Sequence, residues 1–112
     1  MKIYHNPRCR KSREGLAILQ EMNKDFEIVE YLKNPPSFEE LSKLIKKLNI
    51  KPIELVRKNE AIWKENYKGK ELTDDEIIKA MTENPKLIER PIVITEKTAI
   101  VGRPPEIIRT IL

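Results

Sequence analysis

One thiol stands in a run of cations: His5-Asn6-Pro7-Arg8-Cys9-Arg10-Lys11-Ser12-Arg13. Cys9 is the chain's single cysteine, and four of the six residues from Arg8 to Arg13 are basic. A thiolate, not a thiol, is the nucleophilic form, and nearby cations favour it. If its pKa fell from about 8.5 to about 6.5, the thiolate fraction at pH 7 would rise from roughly 3% to roughly three quarters. That shift asks the site for about 2.7 kcal/mol, within reach of a helix start combined with neighbouring cations. The competing reading is a buried, inert cysteine. The flanking charge decides against it, because an apolar core pocket is not lined by three arginines and a lysine. Ser12 lies one turn further on, placed either to donate its hydroxyl to the sulfur or to serve as an ordinary first-turn serine.

The elements around this run must hold the sulfur at a strand-to-helix turn. Ile3-Tyr4 reads as a first strand, and the pattern after Cys9 predicts a helix to about Met22, with Leu16, Ala17 and Leu19 on one side. The first N–H groups of such a helix have no partner within it and point toward the preceding turn, where negative charge is favoured. Asp25 to Leu32 reads as a second strand, broken by Asn34-Pro35-Pro36. Ser37 and Glu40 form a capping box that starts a helix from about Phe38 to Leu48; Thr73 and Glu76 start another, which Asn84-Pro85 ends. Between them Pro52 suits a short helix through Val56, and Trp63 with Tyr67 suits one helical turn. Pro91 to Thr95 reads as a buried strand and Thr98 to Val101 as its antiparallel partner, though Glu96-Lys97 lacks the glycine or asparagine of a tight hairpin. A final helix carries Ile107, Ile108, Ile111 and Leu112.

The order strand, helix, strand, several helices, strand, strand, helix predicts an α/β domain spanning residues 1–112. A parallel βαβ unit and a ββα unit share a small four-stranded mixed sheet, with a core of about 1–33 and 90–112 and a helical insertion of about 37–89. A strand followed at once by Cys-x-x-Ser and a helix is the thioredoxin-like placement of a reactive thiol.

Composition narrows the function classes. Charged residues make up 36% and apolar residues 39%, ordinary for a soluble globular protein. No apolar run approaches the length of a membrane span, and the Met-Lys-Ile-Tyr-His start has no signal-peptide pattern. One cysteine makes no internal disulfide, so a reducing, cytoplasmic setting is expected. One His and one Cys supply no metal-ligand cluster. The net charge of +4 is spread among 18 acidic residues without a nucleic-acid-binding motif, so a generic basic surface explains it better than a nucleic-acid partner.

Arg57 follows a short helix, and Arg90 and Arg103 each precede a proline at the edge of a predicted strand. Planar guanidinium groups suit the oxygens of a tetrahedral oxyanion. With these positions the chain resembles, nearly end to end, the glutaredoxin-coupled class of arsenate reductases. The matching pieces are Tyr4-His5-Asn6-Pro7 with Cys9 and Ser12, Tyr31-Leu32 with Asn34-Pro35-Pro36-Ser37, and Leu55-Val56-Arg57-Lys58-Asn59. They continue through Leu72-Thr73-Asp74-Asp75 and Glu89-Arg90-Pro91-Ile92-Val93 to Arg103-Pro104 with Glu106.

The resemblance implies a thioredoxin-like fold with a helical insertion, Cys9 as nucleophile, and His5 helping to lower its pKa. It implies that Arg57, Arg90 and Arg103 hold arsenate, and that Pro91, usually cis, faces the thiol beside a loop shaped by Asn6. No tightly bound cofactor is implied; glutathione or an equivalent thiol and a glutaredoxin are the external reductants, and a monomer is expected. The sequence departs from the pattern in two places: Arg10-Lys11 replaces small residues, and Ile100 stands where some members carry arginine. Two other readings use the same fold. Regulators that bind RNA polymerase typically carry Cys-x-x-Cys and lack the Arg-Pro pair, whereas this chain has Ser12 and Arg103-Pro104. A glutathione-dependent thiol–disulfide reductase would use Cys9 on disulfides instead.

Overall fold

The computed structural model describes residues 1–112. Its strands are β1 (Lys2–Tyr4), β2 (Glu27–Val29), β3 (Ile92–Ile94) and β4 (Ala99–Val101), and its α-helices are α1 (Arg10–Glu21), α2 (Phe38–Leu48), α3 (Ala61–Asn66) and α4 (Asp74–Glu83). Three 3₁₀ segments, Pro52–Leu55, Pro85–Leu87 and Pro105–Ile111, complete it. The chain divides into two compact units, residues 1–34 with 90–112 and residues 35–89.

The first unit carries a four-stranded sheet in the order β2-β1-β3-β4. β1 and β2 run parallel with α1 between them in sequence, which is the βαβ arrangement predicted; β3 is antiparallel to β1 and β4 antiparallel to β3. Ile3 pairs with Val93 in register, so both side chains lie on one face. On that face Ile3, Val93, Ile18, Leu19 and Ile108 form a buried apolar cluster, joined at its margin by Phe26, Ile100 and Ile111. Burial in α1 falls on Ser12, Gly15, Ile18 and Leu19, a three-to-four-residue spacing that defines its inner face. Ala17 lies outside that stripe and is exposed, contrary to the sequence expectation.

Two further local readings change. The second strand is three residues long rather than eight, because β2 is an edge strand with a single neighbour and its apolar alternation is broken at Ile28-Val29. The last helix is 3₁₀, not α; four of its seven residues, Ile107, Ile108, Thr110 and Ile111, are β-branched and resist α-helical packing at χ1. The β3–β4 connection closes without glycine. Thr95 N–H donates to Thr98 O at 2.7 Å, and Thr95 Oγ1 accepts the Thr98 N–H at 3.0 Å, so a hydroxyl completes the turn.

The second unit is helical. Both capping boxes form: Ser37 with Glu40 opens α2, and Thr73 with Glu76 opens α4. Leu41, Leu44, Ile45, Ile77, Ile78, Ala80 and Met81 bury the facing sides of these helices. Trp63 is buried in α3 and stacks on Tyr67 with ring centroids 5.3 Å apart. No helix of the chain is long and apolar enough to cross a membrane.

Candidate active site

Cys9 is the N-cap residue of α1, in extended backbone conformation with φ −96° and ψ 123°. The loop that delivers it is fixed by short polar contacts. Asn6 Oδ1 accepts the Arg8 N–H at 3.0 Å, an Asx turn, and Asn6 O accepts the Cys9 N–H at 3.0 Å. His5 N–H donates to Val29 O across the sheet at 2.9 Å, and Arg13 reaches back to donate to Pro7 O at 3.0 Å. Arg13 N–H also donates to Cys9 O, closing the first turn of α1. The N–H groups between Cys9 and Arg13 therefore stay outside the helix ladder.

Several groups compete to set the ionisation of Cys9. Partial burial pushes the thiol pKa up. The Ser12 N–H, the charge and hydrogen bond of the Arg90 guanidinium, and the Lys11 N–H together outweigh it, and the pKa lies below its ordinary value. Helix-start N–H groups and a guanidinium thus both favour the ionised form of one half-buried sulfur.

The hydroxyl of Ser12 does something other than the sequence suggested. Ser12 is fully buried; its Oγ accepts the Asn6 N–H at 2.9 Å and shares a 2.7 Å hydrogen bond with His5 Nδ1. The serine group at the sulfur is its backbone N–H, while the hydroxyl ties the helix to the histidine and the loop. Burial lowers the His5 pKa, and Arg13 adds to that; the charge of Glu30 and a hydrogen bond at the Ser12 backbone push the other way without restoring it. His5 is therefore neutral at pH 7. What joins it to the first turn of α1 is the Ser12 hydroxyl.

Arg90 and Arg103 come to the same corner. Arg103 Nε donates to Arg90 O at 2.8 Å, and Gly102 N–H donates to Pro91 O at 2.8 Å, so the segment after β4 anchors the one before β3. The Arg90–Pro91 peptide bond is cis, as the resemblance implied, and Arg103–Pro104 is cis as well. The first unit thus gathers Cys9, His5, Asn6, Ser12, Arg90, Pro91 and Arg103. Arg57 belongs to the second unit. Its NH1 meets Glu60 Oε1 at 2.7 Å, its Nε lies 3.9 Å from Glu89 Oε1, and its N–H donates to Leu87 O.

Sequence reasoning missed Gly15 and Gly102, which both press on the Pro91 ring. A signal existed for Gly15: glycine in a helix interior costs about 1 kcal/mol relative to alanine and asks for a packing reason.

A family model described as ArsC family matches residues 4–111. The chain is 46% identical to an Escherichia coli K12 protein described as uncharacterized, YfgD, over 95% of this chain and 91% of that protein. It is 39% identical to an arsenate reductase of Neisseria meningitidis serogroup A, over 100% of this chain and 97% of the relative. The solved arsenate reductase from Vibrio cholerae superposes with a TM-score of 0.94 at 44% identity, covering 100% of this chain and 98% of that one. A cysteine capping the helix after the first strand of a thioredoxin-like sheet, with this match along almost the whole length, makes the chain a member of the ArsC family.

Proposed function

We propose that the protein reduces arsenate to arsenite with Cys9 as nucleophile. The observation that carries this reading is the sulfur itself, half-buried, its pKa lowered by two backbone N–H groups and the Arg90 guanidinium. Like charges oppose the first step. A thiolate approaching an arsenate dianion meets about 4 kcal/mol of repulsion per unit-charge pair at 4 Å and an effective dielectric near 20. Arg90 and Arg103 offset that repulsion and stabilise charge on the departing oxygen. The resemblance adds Arg57 to the cations that hold the anion.

The Cys9 sulfur bonds to arsenic as one As–O bond breaks, and the oxygen leaves as water after taking up protons. A glutathione-type thiol displaces a second oxygen in the same way. Attack of a further thiol, supplied by a glutaredoxin-type protein, on the glutathione sulfur makes an S–S bond and leaves two electrons on arsenic, so As(V) becomes As(III). Water then frees arsenite and Cys9. With one cysteine in the chain, no internal disulfide closes this cycle, which is why the reductant comes from outside, in a reducing cytoplasmic setting.

Incubation of purified protein with arsenate, glutathione and a glutaredoxin tests the reading. Arsenite is expected from the wild type and none above background from Cys9→Ser. Cys9-dependent reduction of a glutathione mixed disulfide without arsenite would move the function to a thiol–disulfide reductase. Absence of both, with tight binding to RNA polymerase, would move it to a regulator.

A further inference from the structure

Two glycines leave room for the Pro91 ring and for the side chain of Ile108. A Cβ at Gly15 would stand 2.8 Å from Pro91 Cγ and 3.0 Å from Ile108 Cδ1. A Cβ at Gly102 would stand 2.7 Å from Ile108 Cδ1 and 3.0 Å from both Ile108 Cγ1 and Pro91 Cγ. These separations lie inside ordinary carbon–carbon contact, so at either position a methyl group enters only if a neighbour shifts. Gly15 sits on the buried face of α1, where alanine would favour the helix by about 1 kcal/mol. Close approach of the proline ring explains why glycine is there. Ile108 is completely buried, and its Cδ1 lies close to both glycines beside the ring.

Backbone bonds extend the grip. Gly102 N–H holds Pro91 O, and Arg103 Nε holds Arg90 O, each at 2.8 Å. Pro91 directly follows Arg90, whose guanidinium helps to hold the Cys9 pKa down. The packing behind the ring and the chemistry in front of it are one residue apart.

We propose that Gly15, Gly102 and Ile108 are positioning residues for the reaction: by seating the Pro91 ring they fix the place at which Arg90 meets Cys9. The inference rests on the roles given above to Arg90 and Cys9, and it makes the two glycines unequal. At position 15 the nearest atom is a proline ring carbon, whose only freedom is the pucker of the ring. At position 102 it is the end of an isoleucine side chain, which can turn. Gly15→Ala therefore moves Pro91 directly, and Gly102→Ala moves Ile108 first. Ile108→Val deletes Cδ1, the nearest atom at position 102, so it eases that site in part and leaves the Pro91 Cγ contact at position 15 untouched.

The test follows the alkylation rate of Cys9 by iodoacetamide against pH in the wild type, Gly15→Ala, Gly102→Ala, Ile108→Val and the Gly102→Ala/Ile108→Val pair, with circular dichroism as the check on folding. Gly15→Ala is expected to raise the thiol pKa by about half a unit to one unit and to lower kcat/KM for arsenate by about tenfold. Gly102→Ala is expected to give a smaller rise, and the pair to return the pKa toward the wild-type value. Folded glycine variants with an unchanged thiol pKa overturn the proposal, whatever their stability. If Gly15→Ala does not fold, the Gly102 series decides: no rise in Gly102→Ala, or no reversal in the pair, overturns it. Alkylation needs no arsenate, so a shifted pKa in a protein that makes no arsenite would keep the clamp and remove the proposed function.

Discussion

Helix α1 begins differently from α2 and α4. In α2 the Ser37 hydroxyl accepts the Glu40 N–H at 3.2 Å and the Glu40 carboxylate accepts the Ser37 N–H at 3.2 Å; Thr73 and Glu76 repeat the exchange in α4. Both helices carry acidic residues in the first turn, Glu39 and Glu40 in one, Asp74, Asp75 and Glu76 in the other. Those charges suit the positive end of a helix dipole. At the start of α1 there is no side-chain cap and no acidic residue, and Arg10, Lys11 and Arg13 crowd the same end. Each such cation opposes the dipole by about 0.3–1 kcal/mol. Glu14 answers two of them, Arg10 at 3.2 Å and Lys11 at 3.7 Å, on an exposed surface where ion pairs contribute little. The starts of α2 and α4 are built for stability, although the short α3 of the same unit has no side-chain cap. In the first unit the same N–H groups and an excess of positive charge are left for a sulfur.

The largest effect should come from removing the cation that faces this start. Arg90→Ala is expected to lower kcat/KM for arsenate by about 10²-fold and to raise the Cys9 pKa, since it deletes both a charge and a hydrogen bond at the sulfur. Arg90→Lys keeps the charge and loses the planar fork, and should fall between the two. Steady-state kinetics and thiol titration on the same preparations check this. Unchanged turnover in Arg90→Ala would mean that the helix start works alone.

Giving α1 a conventional cap probes the comparison next. Cys9→Ser places a good N-cap residue where cysteine stands. The folded-state pKa of Cys9 is depressed, so the stabilisation from its ionisation is fully present above the unfolded value of about 8.5 and is lost as pH falls through the folded value. The wild type should therefore gain stability relative to Cys9→Ser as pH rises from below the folded pKa toward about 8.5. Urea midpoints across that range measure it. A pH-independent difference would mean that the thiolate is not favoured by folding.

How much of this was legible beforehand follows the range of each interaction. The capping boxes, the proline breaks and the α2 stripe are written within a few residues, and α2 spans the residues Phe38–Leu48 that its pattern predicted. The βαβ order followed from the alternation of elements, and the thiol from the cations flanking it in sequence. The partners of Ser12 and Arg103 were not legible in that way. The Ser12 hydroxyl turns to His5, seven residues back, and Arg103 Nε bonds the carbonyl of Arg90, thirteen residues away. Sequence spacing ranks such partners no better than others. The shortness of β2 depends on its edge position, which only the assembled sheet determines.

The smallest effects come from a matched pair of variants, one in each unit. Lys11→Gln removes a cation from the start of α1; the lost exposed ion pair with Glu14 and the relieved repulsion with the helix dipole nearly offset each other. Stability should move by less than about 0.5 kcal/mol, while Cys9 alkylation at pH 7 slows about two- to threefold and the difference shrinks in 1 M salt. Thr73→Ala removes a cap from α4 and should do the reverse, lowering stability by about 1 kcal/mol with no change at the thiol. A double dissociation of this kind would mean that charge at the α1 start serves reactivity and capping at the α4 start serves folding. If Lys11→Gln instead behaves like Thr73→Ala, the basic run acts on α1 as an ordinary structural element, and the ionisation of Cys9 falls to Arg90 and the backbone N–H groups.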